Sequence, residues 1–270
     1  MDAVTWARLT AAARRHQADL RSPLPPGDGC CPVCRGPVGP GYPRCYQCAG
    51  QRADAPGRLA DVVVPISYAL RGGAHATRLR LYKSGHPGAA AAGAVLRAVL
   101  LTFLRDHGSC LWRHAAMPAP TSLAVVPSGQ GRPGPHPLLG LASPLIAMTP
   151  ATLTVRPGEP LGRALNPCRF RAGPSVAGQS VLLVEDTWVS GASAQSAAVA
   201  LRLAGARYVA VVVLGRHIDP ADPRSRPLVA RIETAGYDPA ACAVHHPPPG
   251  SRSLPVTVNG DMYPAGPVTA

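Results

Sequence analysis

Aromatic side chains are scarce in this chain: phenylalanine, tyrosine and tryptophan together make up 4% of its 270 residues. The core is therefore expected to be built from alanine, valine and leucine, and broad base-stacking surfaces are disfavoured. Lysine is scarcer still. Of 27 basic residues only Lys83 is a lysine, and no Walker-type lysine follows a glycine-rich loop. Long apolar runs are missing too. The most apolar stretch, Ala89 to Leu104, carries Arg97 and is too short to span a bilayer. Met1 to Leu20 has no continuous apolar segment of the secretory kind. A cytoplasmic protein with no membrane partner is expected, and there is no internal repeat.

What the chain has in excess is positive charge and small apolar residues. Fourteen acids against 27 bases give a net charge of +13 and a pI near 10.1, a balance that attracts polyanions. Because arginine so dominates, and alanine, glycine and proline are abundant, the basicity is in part compositional. The lone lysine then marks a position where a guanidinium does not serve. Hydrophobic content of 46% and this length suit one sizeable α/β domain with a small module attached.

The most informative stretch is Val181 to Ser193. Val181 to Val184 reads as a strand buried on both faces, the condition of a central strand in a parallel sheet. Glu185 and Asp186 follow at its carboxyl end, where ligands of open α/β sheets bind. Ser190, Gly191 and Ser193 then lead into the helical run Ala194 to Ala204, whose first N–H groups favour an anion. Carboxylates that accept from a sugar diol, beside a loop that wraps a phosphate, describe one ligand carrying both groups. The plain alternative is a strand-to-helix turn with a capping serine. A dinucleotide-binding reading fits less well, because it needs three glycines in the turn and an acid after it.

Eight cysteines in a reducing compartment point to metal rather than disulfides. Cys31-x-x-Cys34 and Cys45-x-x-Cys48, joined by a Gly- and Pro-rich link, match a closed tetrahedral structural zinc site. A redox dithiol pair or unliganded thiols are the alternatives, and Cys30 leaves a register ambiguity that the two-residue spacing resolves toward Cys31. Cys242, His245 and His246 are expected at the surface.

Taken in order, residues 1–28 hold a helix over 3–21 and a linker, and residues 29–58 the zinc ribbon. Residues 59–217 alternate strands (62–68, 122–126, 152–155, 181–184, 207–214) with helices (75–82, 89–106, 138–148, 194–204), which predicts a parallel sheet covered on both faces. Residues 156–180 read as a loop containing Arg163, Asn166, Arg169 and Phe170. A C-terminal extension, 218–270, carries a helix near 226–235 and a disordered tail from about 247.

Two acids, three variable residues and then a hydroxyl-Gly-x-hydroxyl loop resemble the phosphoribosyl pyrophosphate (PRPP) motif of type I phosphoribosyltransferases. Here it stands as Glu185-Asp186, Thr187-Trp188-Val189 and Ser190-Gly191-Ala192-Ser193. With the four cysteines, Tyr82-Lys83-Ser84-Gly85 and Val126-Pro127, the layout over residues 28–217 resembles the ComF family. That resemblance implies a type I phosphoribosyltransferase-like parallel sheet with an N-terminal zinc ribbon, and transfer of phosphoribose to an amine or base with release of pyrophosphate. It implies Mg²⁺ with PRPP, Glu185 and Asp186 on the ribose hydroxyls, and Val189, Ser190, Gly191, Ala192 and Ser193 on the 5′-phosphate. Lys83 or Arg132 would face pyrophosphate. Lys83 reads equally as a solvated helix-end residue and His136 as a surface loop residue. The family's arginine in the pyrophosphate region is replaced by Gly134-Pro135-His136-Pro137, with Arg132 and His136 as substitutes. The charge, with Tyr42 and Tyr46 near the cysteines, also admits a PRPP-sensing accessory protein that binds single-stranded DNA.

Overall fold

In the computed structural model, residues 1–128, 136–142, 148–159 and 162–246 are described. Helix α1 (Ala3–Arg15) begins at Asp2, whose carboxylate accepts from the Thr5 N–H at 2.7 Å. It ends at His16, short of residue 21, and a 3-10 turn over Gln17–Asp19 follows, with Asp19 accepting from Arg78 at 2.7 Å. Helix α2 (Tyr46–Asp54) lies in the cysteine module and carries the buried Cys48 and Gln51. Strand β1 (Val62–Pro65), strand β2 (Tyr68–Leu70), helix α3 (Ala74–Leu81) and helix α4 (Ala89–His114) follow. The predicted strand 62–68 is thus split in two. Between the two strands, the Ser67 hydroxyl accepts from the Arg21 N–H at 2.9 Å.

Next come β3 (Ser122–Val125), α5 (Pro137–Ala142), β4 (Thr149–Pro150), β5 (Leu153–Val155), β6 (Phe170–Ala172), β7 (Ser180–Trp188), α6 (Ala192–Leu203), β8 (Tyr208–Ile218) and α7 (Arg226–Ala235). The segment 156–180, read as a loop, supplies β6, and β5 pairs with it in an antiparallel ribbon rather than joining the main sheet. Of the helix predicted over 138–148, residues 143–147 lie outside the described residues, as do the tail from 247 and Arg132.

The main sheet is parallel throughout, ordered β1-β8-β7-β3-β4, with β2 pairing the far end of β8. Strands β1, β3, β7 and β8 are buried on both faces, while the two-residue edge strand β4 is exposed. Leu182, Val184, Ala210 and Val212 pack under Leu96 and Leu100 of α4. Val181, Leu183, Val209 and Val211 pack against Ala194, Ala197 and Leu201 of α6 and against Cys31, Cys34 and Cys48. The alternation is the two-residue period of a strand, and each fully buried valine or leucine contributes about 1.5–3 kcal/mol. The alanines of α6 let that helix lie close to the sheet. No described helix is long and apolar enough to cross a membrane.

Topology positions the site. From β3 the chain moves outward to β4, and from β7 it moves the opposite way to β8, so the crevice between the carboxyl ends of β3 and β7 is the switch point of the sheet. β7 outruns its neighbour on one side. β3 ends at Val125, opposite Val184, whereas β7 stays paired with β8 through Trp188 opposite Arg216. Glu185 and Asp186 therefore lie within the strand, with β8 on one side and the crevice on the other.

His75 of α3 is buried against β8, its Nε2 3.0 Å from the Leu214 carbonyl. Burial, aided by the charge of Arg78, pushes its pKa down from 6.5 to about 4. The unfolded chain binds the extra proton between these values, so acidification costs stability. We expect urea unfolding to show a loss of up to about 3 kcal/mol from His75 between pH 6.5 and 4. The His75→Gln variant should lack that part of the slope, and identical pH dependence in the two proteins would contradict it.

Candidate functional site

Glu185 and Asp186 open into a cleft of about 470 Å³ whose other walls include Lys83, Pro127, Ser128 and His136. Arg71 and Arg80 also line it, so three cations face one acid pair in a wall otherwise made of neutral residues. The two acids differ sharply. Asp186 accepts from the Tyr82 hydroxyl at 2.6 Å and from Lys83 Nζ at 2.8 Å. Burial works to raise its pKa, but the Lys83 charge and these hydrogen bonds outweigh it and hold the carboxyl below its usual value. Glu185 is 8% exposed, and its Oε2 has no hydrogen-bond partner among the described residues. Burial, then the Asp186 charge, push it well above the usual carboxylate range, against the pull of Lys83 and Arg169. Adjacent acids are driven apart, one toward the ionised form and the other toward the protonated form. Lys83, just past the end of α3, is thus a cleft residue rather than a solvated helix end.

The turn from β7 to α6 has a fixed geometry. Gly191 sits at φ +81°, and a Cβ there would lie 2.1 Å from the indole of the buried Trp188. Only glycine meets both demands. The bulky residue in the loop is the floor on which the glycine rests. The Ser190 hydroxyl accepts from the Ala192 N–H at 3.3 Å, and α6 opens with no acid in its first turn. Its N-terminus keeps its positive potential toward the cleft. Val189 and Ser193 line the cleft, and the Ser193 hydroxyl accepts from Arg169 Nη1 at 3.0 Å.

Behind this loop stands the cysteine module. The sulfurs of Cys31, Cys34, Cys45 and Cys48 all lie within 4.8 Å of one another, an all-thiolate set that can hold a metal such as zinc. Cys30 is turned away, its Sγ 3.8 Å from the Tyr68 hydroxyl. Arg216 joins the module to the loop. Buried at the end of β8, it donates through Nε to the Cys34 carbonyl at 3.0 Å and through Nη2 to Cys34 Sγ at 3.7 Å. Its Nη1 donates to the carbonyls of Trp188 and Val189, each at 3.1 Å. A Cβ on Gly36 would lie 2.0 Å from Arg216 Nη2, so the turn after Cys34 leaves room for the guanidinium. From α2, Gln51 Nε2 donates to the Ser190 carbonyl at 2.9 Å.

No protein-family model matches this chain, and no curated protein matches it. The site is therefore read from its own geometry. The structure brings Lys83, Glu185, Asp186, Val189 and Ser193 to one cleft, with Ser190, Gly191 and Ala192 forming the turn beside it. His136 joins the cleft wall, while Arg132 lies outside the described residues. Asn166 holds its loop down instead, its N–H donating to Ser196 Oγ at 2.9 Å and its Nδ2 to Glu159 at 2.8 Å. Arg163 is exposed. Sequence reasoning missed the roles of Arg169, Arg216, Tyr82 and Gln51. In an arginine-rich chain nothing marks Arg169 and Arg216 out. One correction concerns Cys242, expected at the surface and in fact fully buried, because residues 239–245 fold back onto α4.

Two outcomes follow from this arrangement. Gly191→Ala should lower stability by about 1–2 kcal/mol from the left-handed backbone alone, with more from the indole clash. Unchanged urea unfolding would contradict it. Stripping metal from the four cysteines with a chelator should speed hydrogen exchange of amides 188–195, because Cys34 and Gln51 anchor that loop from behind. Exchange indifferent to the chelator would show that module and loop are uncoupled.

Proposed function

We propose that this chain is a phosphoribosyltransferase-like protein of the ComF type, with a type I phosphoribosyltransferase core, that binds PRPP at the β3–β7 crevice. It transfers phosphoribose to an amine or base and releases pyrophosphate. One observation carries the reading: the acid pair, the only lysine of the chain and the turn into α6 all meet at a single cleft at the switch point of the sheet. A sugar diol, a terminal phosphate and a pyrophosphate group need those three features.

Each residue then has a task that follows from its surroundings. Asp186, held ionised by Lys83 and Tyr82, accepts from one ribose hydroxyl. Glu185, whose burial favours the protonated form, donates to the neighbouring hydroxyl oxygen. Together they read a vicinal diol as one donor and one acceptor. The turn from Val189 to Ser193 and the first N–H groups of α6 receive the 5′-phosphate. Lys83 faces the pyrophosphate, in a role shared with Arg132, and His136 stands on the same wall. Of the two acids lining the cleft, Asp186 is the one held ionised, and its carboxylate offers an oxygen ligand of the kind Mg²⁺ takes. Bound there, Mg²⁺ would neutralise pyrophosphate charge. The chain's contribution is positioning and electrostatic stabilisation as the anomeric carbon becomes cationic, with no side-chain nucleophile.

A separate observation favours a second reading, a single-stranded DNA-binding accessory role. Tyr42 and Tyr46 are 72% and 86% exposed, and they flank Arg44 beside a second cleft lined by Arg35, Arg44, Arg52 and Arg202. Bases stack on such tyrosines while arginines hold the backbone. Affinity for an oligonucleotide should fall steeply with salt, and salt-independent binding would dispose of this reading.

For the main proposal, isothermal titration with PRPP and Mg²⁺ should show binding that weakens at least about tenfold, about 1.4 kcal/mol, in a Glu185→Ala, Asp186→Ala double variant. Lys83→Met should weaken PRPP more than ribose 5-phosphate. Absence of PRPP binding, or equal binding by the double variant, would overturn it.

A further inference from the structure

On the face of the sheet covered by α4, three metal-binding side chains converge that do not line the cleft. His107 and Cys110 stand three residues apart on α4, the spacing that places two side chains on one helix face. Cys242, 132 residues beyond Cys110 in the chain, is brought to them by the segment after α7. The ligand atoms of all three lie within 4.8 Å of one another. Tetrahedral zinc with bonds of about 2.3 Å to sulfur needs neighbours about 3.8 Å apart, so a small contraction closes the group around an ion.

We propose that His107, Cys110 and Cys242 form a second metal site, independent of the four-cysteine module, that takes a thiophilic divalent cation of the zinc class with His245 as its fourth ligand.

Three features support it. His107 Nε2 lies 2.9 Å from the Pro239 carbonyl, which leaves Nδ1 for the cluster. That bond is the second-shell tie that orients a metal-bound imidazole. Cys242 and His245 enclose a tight turn, with Cys242 N–H donating to the His245 carbonyl at 2.8 Å and His245 N–H returning to the Cys242 carbonyl at 3.1 Å. The resulting pattern is His-x-x-Cys on a helix opposite Cys-x-x-His in a turn, two thiolates and two imidazoles without a carboxylate. This donor set selects zinc over magnesium or calcium. His245 is exposed in that turn and outside the group of converging ligand atoms, so its ring would swing toward Cys242 to complete the set.

The site has a structural consequence. Residues 239–245 close over the core at α4, and Ala243, adjacent to Cys242, is fully buried. The Ala243 carbonyl also accepts from Arg35 Nε at 3.1 Å, and Arg35 follows Cys34 in the four-cysteine module. A metal at His107, Cys110 and Cys242 would staple this segment to α4 and so support one wall of the first module.

The test uses the full-length protein purified with reductant and zinc. Native mass spectrometry should find two zinc ions on the wild type and one on the Cys110→Ser, Cys242→Ser variant. One ion on the wild type, or two retained by the variant, would overturn the proposal. Because the variant risks unfolding, zinc-edge absorption on the wild type provides a second readout. It should average about three sulfur and one nitrogen neighbours per zinc. A sulfur-only shell, or a Cys110–Cys242 disulfide persisting in the presence of reductant and zinc, would also overturn it.

Discussion

The buried guanidinium of Arg216 is the constraint on which the geometry of the site rests. A cation out of water must have its donors occupied, and here they meet the carbonyls of Trp188, Val189 and Cys34 together with the Cys34 sulfur. One side chain thereby fixes both the turn that leads into α6 and the first cysteine pair, whose Cys34 lies 182 residues from Arg216 in the chain. With a metal on the four thiolates the module would carry net negative charge, and the adjacent guanidinium would offset it. The cysteine module is in this sense the rear wall of the cleft. Gln51 on the Ser190 carbonyl repeats the connection from α2.

In front of that wall, burial divides the labour between two neighbouring acids. Both leave water at the end of β7, but only Asp186 meets a cation and a hydroxyl, so it keeps its charge while Glu185 is driven toward the neutral form. The asymmetry comes from sequence order at the end of a strand, where successive side chains point to opposite faces. It also accounts for the single lysine. A flexible ammonium on the segment after α3 reaches Asp186 as a point charge while Tyr82 beside it takes the same oxygen.

Much of the frame was legible from residue patterns. The unbroken apolar run Val181 to Val184 signalled a strand buried on both faces, the two C-x-x-C turns signalled a four-thiolate cluster, and the alternation of strands and helices signalled a parallel sheet. The helix over 226–235 lies where its pattern placed it. What was hidden depends on partners distant in the chain. β7 runs on through the acids because β8 extends to Ile218 and keeps pairing with it. Leu153 to Val155 leaves the main sheet because Phe170 to Ala172 offers a closer partner. Arg169 and Arg216 look like any other arginine until tertiary structure buries them. His107 and Cys110 were masked by the apolar helix that carries them, and Cys242 by a segment whose composition resembles a surface tail.

The central claim is that one ligand carrying a terminal phosphate, a sugar diol and a pyrophosphate spans the crevice from the turn at Gly191 to Lys83. A crystal structure of the protein soaked with PRPP and Mg²⁺ tests it most directly. The account predicts the 5′-phosphate on the backbone of residues 189–193, the ribose hydroxyls on Glu185 and Asp186, and the pyrophosphate toward Lys83. A crevice without ligand density at saturating PRPP, or PRPP bound with its ribose away from the two acids, would contradict it.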